Sequence, residues 1–180
     1  MPARKHNYLK ILYILRHAKA AAEDKNGDVE RPLAKRGRKA AAAMGDYLAM
    51  LAPAPRLVLC SSARRTRETL DQILPSLRPA PKVLYEDGLY LASPGHLIER
   101  LRELPGAADS VLLVGHNPGL HQLALTLAGE GGGLAEAFPT AALAVLRLGV
   151  AWEALRPRSA KLIDYQTPKS LNRDPELDPD

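Results

Sequence analysis

Short apolar runs alternate with longer amphipathic segments along most of this chain. Six runs rich in Val, Ile and Leu predict β-strands, at residues 10–15, 56–60, 82–85, 110–115, 142–148 and 162–165. The first four are continuously apolar instead of alternating with polar residues, which is typical of strands covered on both faces. They are therefore expected in a sheet that carries helices on either side.

Apolar residues at helical spacing predict helices between these strands. One helical face consists of Ala40, Ala43, Met44, Tyr47, Leu48 and Leu51. A second face consists of Leu97, Leu101 and Leu104. Ser93 as N-cap and Pro94 at the first helical position predict where that second helix begins, and Asn117-Pro118 repeats this signal after the fourth strand. Strand–helix alternation of this kind predicts a three-layer α/β/α sandwich with a mostly parallel central sheet.

Length and composition indicate one domain without a membrane anchor. A chain of 180 residues is long enough for one buried core, and 46% of its residues are hydrophobic. We expect this domain to span residues 1–165 and to be followed by a flexible tail, 166–180, which ends in the charged sequence NRDPELDPD. The absence of a membrane-length apolar run or a signal-type segment, together with a single cysteine, Cys60, predicts a cytoplasmic protein.

The basic charge balance limits the choice of partner. The formal net charge is +5 and the isoelectric point is near 9.4, which raises the question of nucleic-acid binding. Aromatic residues make up only 4% of the chain, and the densest basic cluster, KRGRK at 35–39, opens a predicted helix, where a solvated face explains it. We therefore expect no nucleic-acid partner, and the same charge suits an anionic substrate.

The residues that follow each predicted strand are the candidates for a ligand site. In open α/β sheets, ligands bind beyond the carboxyl ends of the strands, where helix N-termini direct N–H groups outward. The residues in these positions are Arg16 and His17, the segment 60–65, Glu86 and Asp87, and His116 and Asn117. Two histidines, at least two arginines and a carboxylate should converge at one edge, and this combination predicts an anion site.

Arginine and histidine side chains suit phosphoryl transfer. Arginines remain protonated and supply planar donors for the oxygens of the transferred group. A neutral histidine can attack phosphorus and form a covalent intermediate, and neighbouring arginines disfavour its protonated form. A cysteine-dependent phosphatase would need an arginine after five intervening residues, where Cys60 has Thr66. No residues have the spacing of metal ligands, so we expect neither a metal nor another cofactor.

Four segments of the chain, in order, resemble one known family. LRHAK (15–19), RPLAKRG (31–37), CSSARRTRET (60–69) and LLVGHNPGL (112–120) are similar to the signature segments of the histidine phosphatase superfamily. The short chain, the RHAK variant with Ala18 where many members have glycine, and FPTAALAVL (138–146) resemble the small SixA-type phosphohistidine phosphatases. The resemblance extends from about residue 10 to residue 165. It implies a phosphoglycerate mutase-like fold without a large cap.

Carried over residue by residue, the resemblance implies a role for each candidate. His17 corresponds to the nucleophile and His116 to the second active-site histidine. Arg16, Arg31 and Arg65 correspond to phosphate ligands, together with His116.

The general acid is where this sequence departs from the family pattern. Many superfamily members have a glutamate after the third strand, whereas Glu86 and Asp87 both occupy that region here. The alignment of DGLYLA with the family pattern favours Asp87. If the substrate is phosphohistidine, the leaving imidazole departs more readily than an alkoxide and needs less help from an acid.

The implied activity is the dephosphorylation of phosphohistidine on a protein, such as a histidine phosphotransfer domain. A small phosphorylated molecule or phosphoserine remains an alternative substrate. A non-catalytic module that docks phosphate is the alternative outside enzymes, although the nucleophile that such a module would lack is present as His17.

Overall fold

A six-stranded mixed sheet forms the centre of the structure, a computed structural model that describes residues 9–23 and 25–172. Its strands are β1 (Lys10–Arg16), β2 (Leu57–Ser61), β3 (Lys82–Glu86), β4 (Ser110–Gly115), β5 (Leu143–Leu148) and β6 (Ala160–Gln166). Their order across the sheet is β3-β2-β4-β1-β5-β6. The first four in this order pair in parallel, and β5 and β6 are antiparallel, so the predicted mostly parallel sheet is confirmed.

Helices cover both faces of this sheet. They are α1 (Lys35–Ala49), α2 (Arg64–Ile73), α3 (Pro94–Arg102), α4 (Gly119–Ala128) and the short α5 (Pro168–Leu171). Alternate residues of β1 point to opposite layers: Leu12 joins the core cluster that contains α3 and α4, whereas Tyr13 joins the cluster with α1 and α2. This period of two, with apolar residues in both phases, explains why the strand is continuously hydrophobic.

The predicted element boundaries agree closely with the structure. Ser93 caps α3 as predicted, because its side chain accepts a hydrogen bond from the backbone N–H of His96 at 3.2 Å. Helix α4 begins at Gly119, one residue after Pro118. Within the predicted tail 166–180, α5 contacts α1, while residues 173–180 and the basic start of the chain, 1–8, lie outside the described residues. The domain boundary at residue 165 stays a prediction.

The pairing of β1 with β4 determines which side chains meet at the carboxyl edge. Arg16 at the end of β1 lies opposite Gly115 at the end of β4. The backbone N–H of His17 donates to the Gly115 carbonyl at 3.0 Å, so the chain leaves both strands side by side.

None of the helices within residues 9–23 and 25–172 has the length and the hydropathy of a membrane span.

Helix α1 packs very closely against the loop that follows β1. A Cβ atom added at Gly37 would lie 2.1 Å from the carbonyl oxygen of Lys19. The same carbonyl accepts a hydrogen bond from the N–H of Ala34 at 2.9 Å, so the loop cannot retreat without losing that bond. Glycine is required here for a close approach of two backbones, only two residues from His17.

We expect Gly37→Ala to destabilise the fold, although the same change usually stabilises a helix by about 1 kcal/mol. The backbones must move apart to remove the overlap between the new Cβ and the Lys19 carbonyl. This movement should lower the free energy of unfolding by about 1–3 kcal/mol, as overpacking does in other proteins. Urea denaturation measures this loss. Gly95→Ala in α3 is the matched control, because a Cβ at Gly95 meets nothing within 4 Å. Equal or greater stability of Gly37→Ala would contradict the packing argument.

Candidate active site

A cavity of about 220 Å³ opens at the carboxyl edge of the sheet. Five of the six residues expected at the site line it, namely Arg16, His17, Arg31, Arg65 and His116. Three of them, Arg16, His17 and His116, lie at or just beyond the ends of β1 and β4. Arg65 lies in the first turn of α2, and Arg31 follows the short 3-10 helix Asp28–Glu30.

The imidazole of His17 is held in one tautomer. Its Nδ1 lies 2.7 Å from the carbonyl oxygen of Ala18, which can only accept, so Nδ1 carries the proton. Its Nε2 lies 3.3 Å from Nε of Arg65, which can only donate. Nε2 therefore has a lone pair, and it is the ring atom that faces Arg65.

The surroundings of His17 keep this ring neutral. Burial is the largest of the effects that together lower the pKa of His17 to about 4; the hydrogen bond to Ala18 raises the pKa, and the charges of Arg65, Arg16 and Arg31 lower it. The residue is only 8% exposed. At neutral pH the histidine is thus unprotonated at Nε2.

His116 is the second buried histidine, and its ring centroid lies 5.3 Å from that of His17. Its Nε2 lies 2.8 Å from Oγ of Ser61, at the end of β2. Its Nδ1 is buried and has no hydrogen-bond partner among the described residues. Burial, followed by the nearby His17 and Arg65, lowers the pKa of His116 to about 3.

Arg65 is fixed by Asp28, a residue that the sequence analysis did not identify. One terminal nitrogen of the guanidinium donates to the Asp28 carbonyl at 2.8 Å and the other to its carboxylate at 3.0 Å. Tyr90 Oη donates to the same carboxylate, and this hydrogen bond, followed by that from Arg31, holds the pKa of Asp28 far below its usual range. The only signal in the sequence was the position of Asp28 three residues before Arg31.

The other two arginines are anchored by backbone carbonyls. Arg31 donates through Nε and a terminal nitrogen to the Ala21 carbonyl, at 3.2 and 3.0 Å, and to the Asp28 carboxylate at 3.0 Å. Arg16 donates from one terminal nitrogen to the Phe138 carbonyl at 3.1 Å. The Nε of Arg16 is buried without a hydrogen-bond partner in the described part of the chain.

Asp87 and Glu86 do not line the cavity. The Asp87 carboxylate accepts a hydrogen bond from Ser62 and lines a separate depression. Both carboxylate oxygens of Glu86 accept from Arg100, at 2.6 to 3.1 Å, which holds that side chain in an ion pair. The role of Asp87 as general acid stays a prediction that the geometry does not favour.

The arrangement has the chemistry of an anion receptor. Three guanidinium groups line the same cavity as the neutral imidazole of His17, whose Nε2 lone pair accepts from Arg65. Among residues 9–23 and 25–172, no three His, Cys, Asp or Glu side chains lie together in a way that could hold a metal ion. Cys60 is buried, and burial raises the pKa of its thiol to about 12, so it is not a reactive thiolate at neutral pH.

A family profile and a sequence relative both match this chain. The profile of the histidine phosphatase superfamily (branch 1) matches residues 12–90. An uncharacterised protein of Mycobacterium tuberculosis is 37% identical over 162 residues, which cover 86% of this chain and all of that protein.

Two solved structures extend this similarity to the fold. A candidate SixA phosphohistidine phosphatase from Nakamurella multipartitia is 31% identical, with a TM-score of 0.77 over 88% of this chain and 96% of its own. A candidate SixA from Agrobacterium tumefaciens is 29% identical, with a TM-score of 0.76 over 88% of this chain and 98% of its own.

The low pKa values of the two histidines make stability depend on pH. The folded pKa values are about 4 for His17 and about 3 for His116, whereas an unfolded histidine titrates near 6.5. Between about pH 6.5 and pH 5 the unfolded chain therefore binds more protons, and the free energy of unfolding should fall as pH decreases. Urea denaturation across this range measures the slope. His17→Asn should reduce it, and an unchanged slope in that variant would contradict the low pKa of His17.

Proposed function

The chain belongs to the histidine phosphatase superfamily, and from this we propose that it hydrolyses phosphohistidine on a protein, through a covalent phosphate on His17 and without a metal ion. The observation that carries this proposal is the lone pair on Nε2 of His17, which accepts from Arg65 beside a cavity that Arg16 and Arg31 also line. A nucleophile in this state needs no base to activate it.

The proposed reaction has two displacement steps. Nε2 of His17 attacks phosphorus, an N–P bond forms to His17, and the N–P bond of the substrate breaks as its imidazole leaves with a proton from solvent. Water then attacks the phosphate on His17, inorganic phosphate is released, and Nε2 regains its lone pair. The two steps together divide a difficult hydrolysis into a transfer between two nitrogen atoms and an attack by water.

Donors around His17 stabilise the charge that spreads over the transferred group. Arg16, Arg31 and Arg65 supply fixed guanidinium groups, and the buried Nε of Arg16 lacks a partner among the described residues. Ser61 Oγ accepts from the N–H of Ala63 at 3.4 Å and can give its own proton to Nε2 of His116. Nδ1 of His116 then carries a hydrogen that is available to a phosphate oxygen.

The leaving group distinguishes the candidate substrates. Among the residues that the structure describes, no carboxylate lines the cavity, and Asp87 and Glu86 lie outside it. An alkoxide leaving from phosphoserine or a sugar phosphate needs a nearby proton donor, whereas the imidazole of phosphohistidine does not need a strong acid. The site also has no large cap to enclose a small molecule, which favours a phosphorylated protein such as a histidine phosphotransfer domain. Similarity to the two SixA-type chains supports the same substrate class.

His17→Ala should abolish turnover, because no other group in the cavity can replace Nε2 as nucleophile. In the wild-type protein, rapid quenching without acid should trap radioactive phosphate from a labelled substrate on His17. Mass spectrometry of the labelled peptides identifies the residue. Cys60→Ser is the control and should keep nearly all activity, and label on Cys60 or normal turnover in His17→Ala would disprove the mechanism.

The substrate assignment is tested by comparing kcat/KM for a phosphorylated histidine phosphotransfer protein with that for a panel of small phosphoesters. Both assays include a chelator. We expect the phosphoprotein to have the higher kcat/KM and the chelator to have no effect, because the arginines provide the electrostatic stabilisation. A wide preference for a small ester would overturn the substrate class, and loss of all activity with the chelator would overturn the metal-free mechanism.

A further inference from the structure

A second depression opens directly beside the active-site cavity. Its volume is about 670 Å³, roughly three times that of the cavity. Lys19 and Thr140 line both depressions, so the two are adjacent. Arg36, Lys39, Ala40 and Ala43 of α1 line the rest of this depression together with residues of the α5 region, and we call it the basic groove.

The groove follows one face of α1. Arg36, Lys39, Ala40 and Ala43 are spaced by three and four residues, so their side chains lie on the same side of the helix over about 10 Å. The close contact of Gly37 with the Lys19 backbone fixes this face against the loop that carries His17. The groove is therefore held in a fixed position relative to the nucleophile.

The described lining of the groove carries positive charge and no negative charge. None of the lining residues within 9–23 and 25–172 is acidic. Within residues 9–23 and 25–172, Lys19, Arg36 and Lys39 form no ion pair, whereas the neighbouring Arg38 is paired with Glu68 at 3.3 Å. The lining residues thus combine three exposed cations with the apolar side chains of Ala40 and Ala43.

We propose that the basic groove binds an acidic face of the phosphorylated protein substrate, with Asp or Glu side chains next to its phosphohistidine. This inference rests on the proposed function and names the feature of the substrate that the enzyme recognises. Lys19 lines both depressions and is two residues from His17, which places the partner's carboxylates close to the phosphoryl group. Among the described residues, no aromatic side chain lines the groove, so this lining lacks the stacking platforms that single-stranded nucleic acids need.

The size of the groove favours a protein face over a small molecule. A phosphoryl group and one imidazole fit the smaller cavity, and the larger volume beside it extends along α1, away from the reacting atoms. A lining of cations and apolar carbon matches a surface that combines carboxylates with aliphatic side chains. Such a contact mainly accelerates association and orients the phosphohistidine towards His17.

The test uses the full chain with the charge-reversing double variant Arg36→Glu/Lys39→Glu. Lys82→Glu/Lys161→Glu is the control, because it changes the net charge equally, at exposed positions in β3 and β6 that do not line the groove. Each protein is assayed with a phosphorylated histidine phosphotransfer protein and with a small aryl phosphate. The aryl phosphate reports on folding and on the catalytic cavity alone, and the neutral variant Arg36→Ala/Lys39→Ala repeats the test with a milder change.

We expect kcat/KM for the phosphoprotein to fall in the groove variant by about tenfold more than kcat/KM for the aryl phosphate. The control variant should show no such difference between the two substrates. Raising the salt concentration should reduce kcat/KM of the wild-type protein for the phosphoprotein towards that of the groove variant, since exposed charges are screened.

Three results would overturn the proposal. An equal loss with both substrates, or the same loss in the control, would show that the groove does not contact the phosphoprotein. A rise in kcat/KM on charge reversal would show that an acidic segment of the chain itself, such as 174–180, occupies the groove instead. A wild-type protein that hydrolyses the aryl phosphate but not the phosphoprotein would overturn both this proposal and the proposed function, whereas the first two results leave the proposed function intact.

Discussion

The hydrogen bond from Arg65 Nε to His17 Nε2 determines what the rest of the site can do. A guanidinium only donates, so this contact requires a lone pair on Nε2 and assigns the ring proton to Nδ1, where the Ala18 carbonyl accepts it. The two contacts come from different elements, α2 and the loop after β1, and they meet because β1 and β2 both pair in parallel with β4. The pairing of the strands therefore determines the tautomer of His17 as well as its position.

Keeping Arg65 beside His17 requires a counter-charge, because the side chain of Arg65 is only 4% exposed. Asp28 meets this requirement from outside the sheet, with a carbonyl and a carboxylate that occupy both terminal nitrogens. The carboxylate itself is 42% exposed, so it retains water contacts and loses little of its own hydration. Because Asp28 accepts from both terminal nitrogens of Arg65, Nε of Arg65 is free to donate to the imidazole of His17.

Much of the fold and most of the site could be predicted from the sequence, because their signals are periodic or lie at strand ends. Continuous apolar runs located the strands, and Arg16, His17 and His116 follow them directly. Asp28 lies in a 3-10 helix of three residues and Tyr90 directly follows another, and such segments are too short for a periodicity to indicate which way a side chain points. The location of Asp87 outside the cavity could not be predicted from the sequence either, since it depends on a hydrogen bond from Ser62, which lies in a different loop.

Asp28 has a consequence for how an anion leaves the site. In the proposed reaction an incoming phosphoryl group meets guanidinium groups that already hold a carboxylate, so its charge lies near that of Asp28. Like charges repel, and the net gain in affinity is smaller than the arginines alone would give. When inorganic phosphate departs, Arg31 and Arg65 keep the Asp28 carboxylate as an acceptor. Asp28 therefore weakens the affinity of the site for its own product.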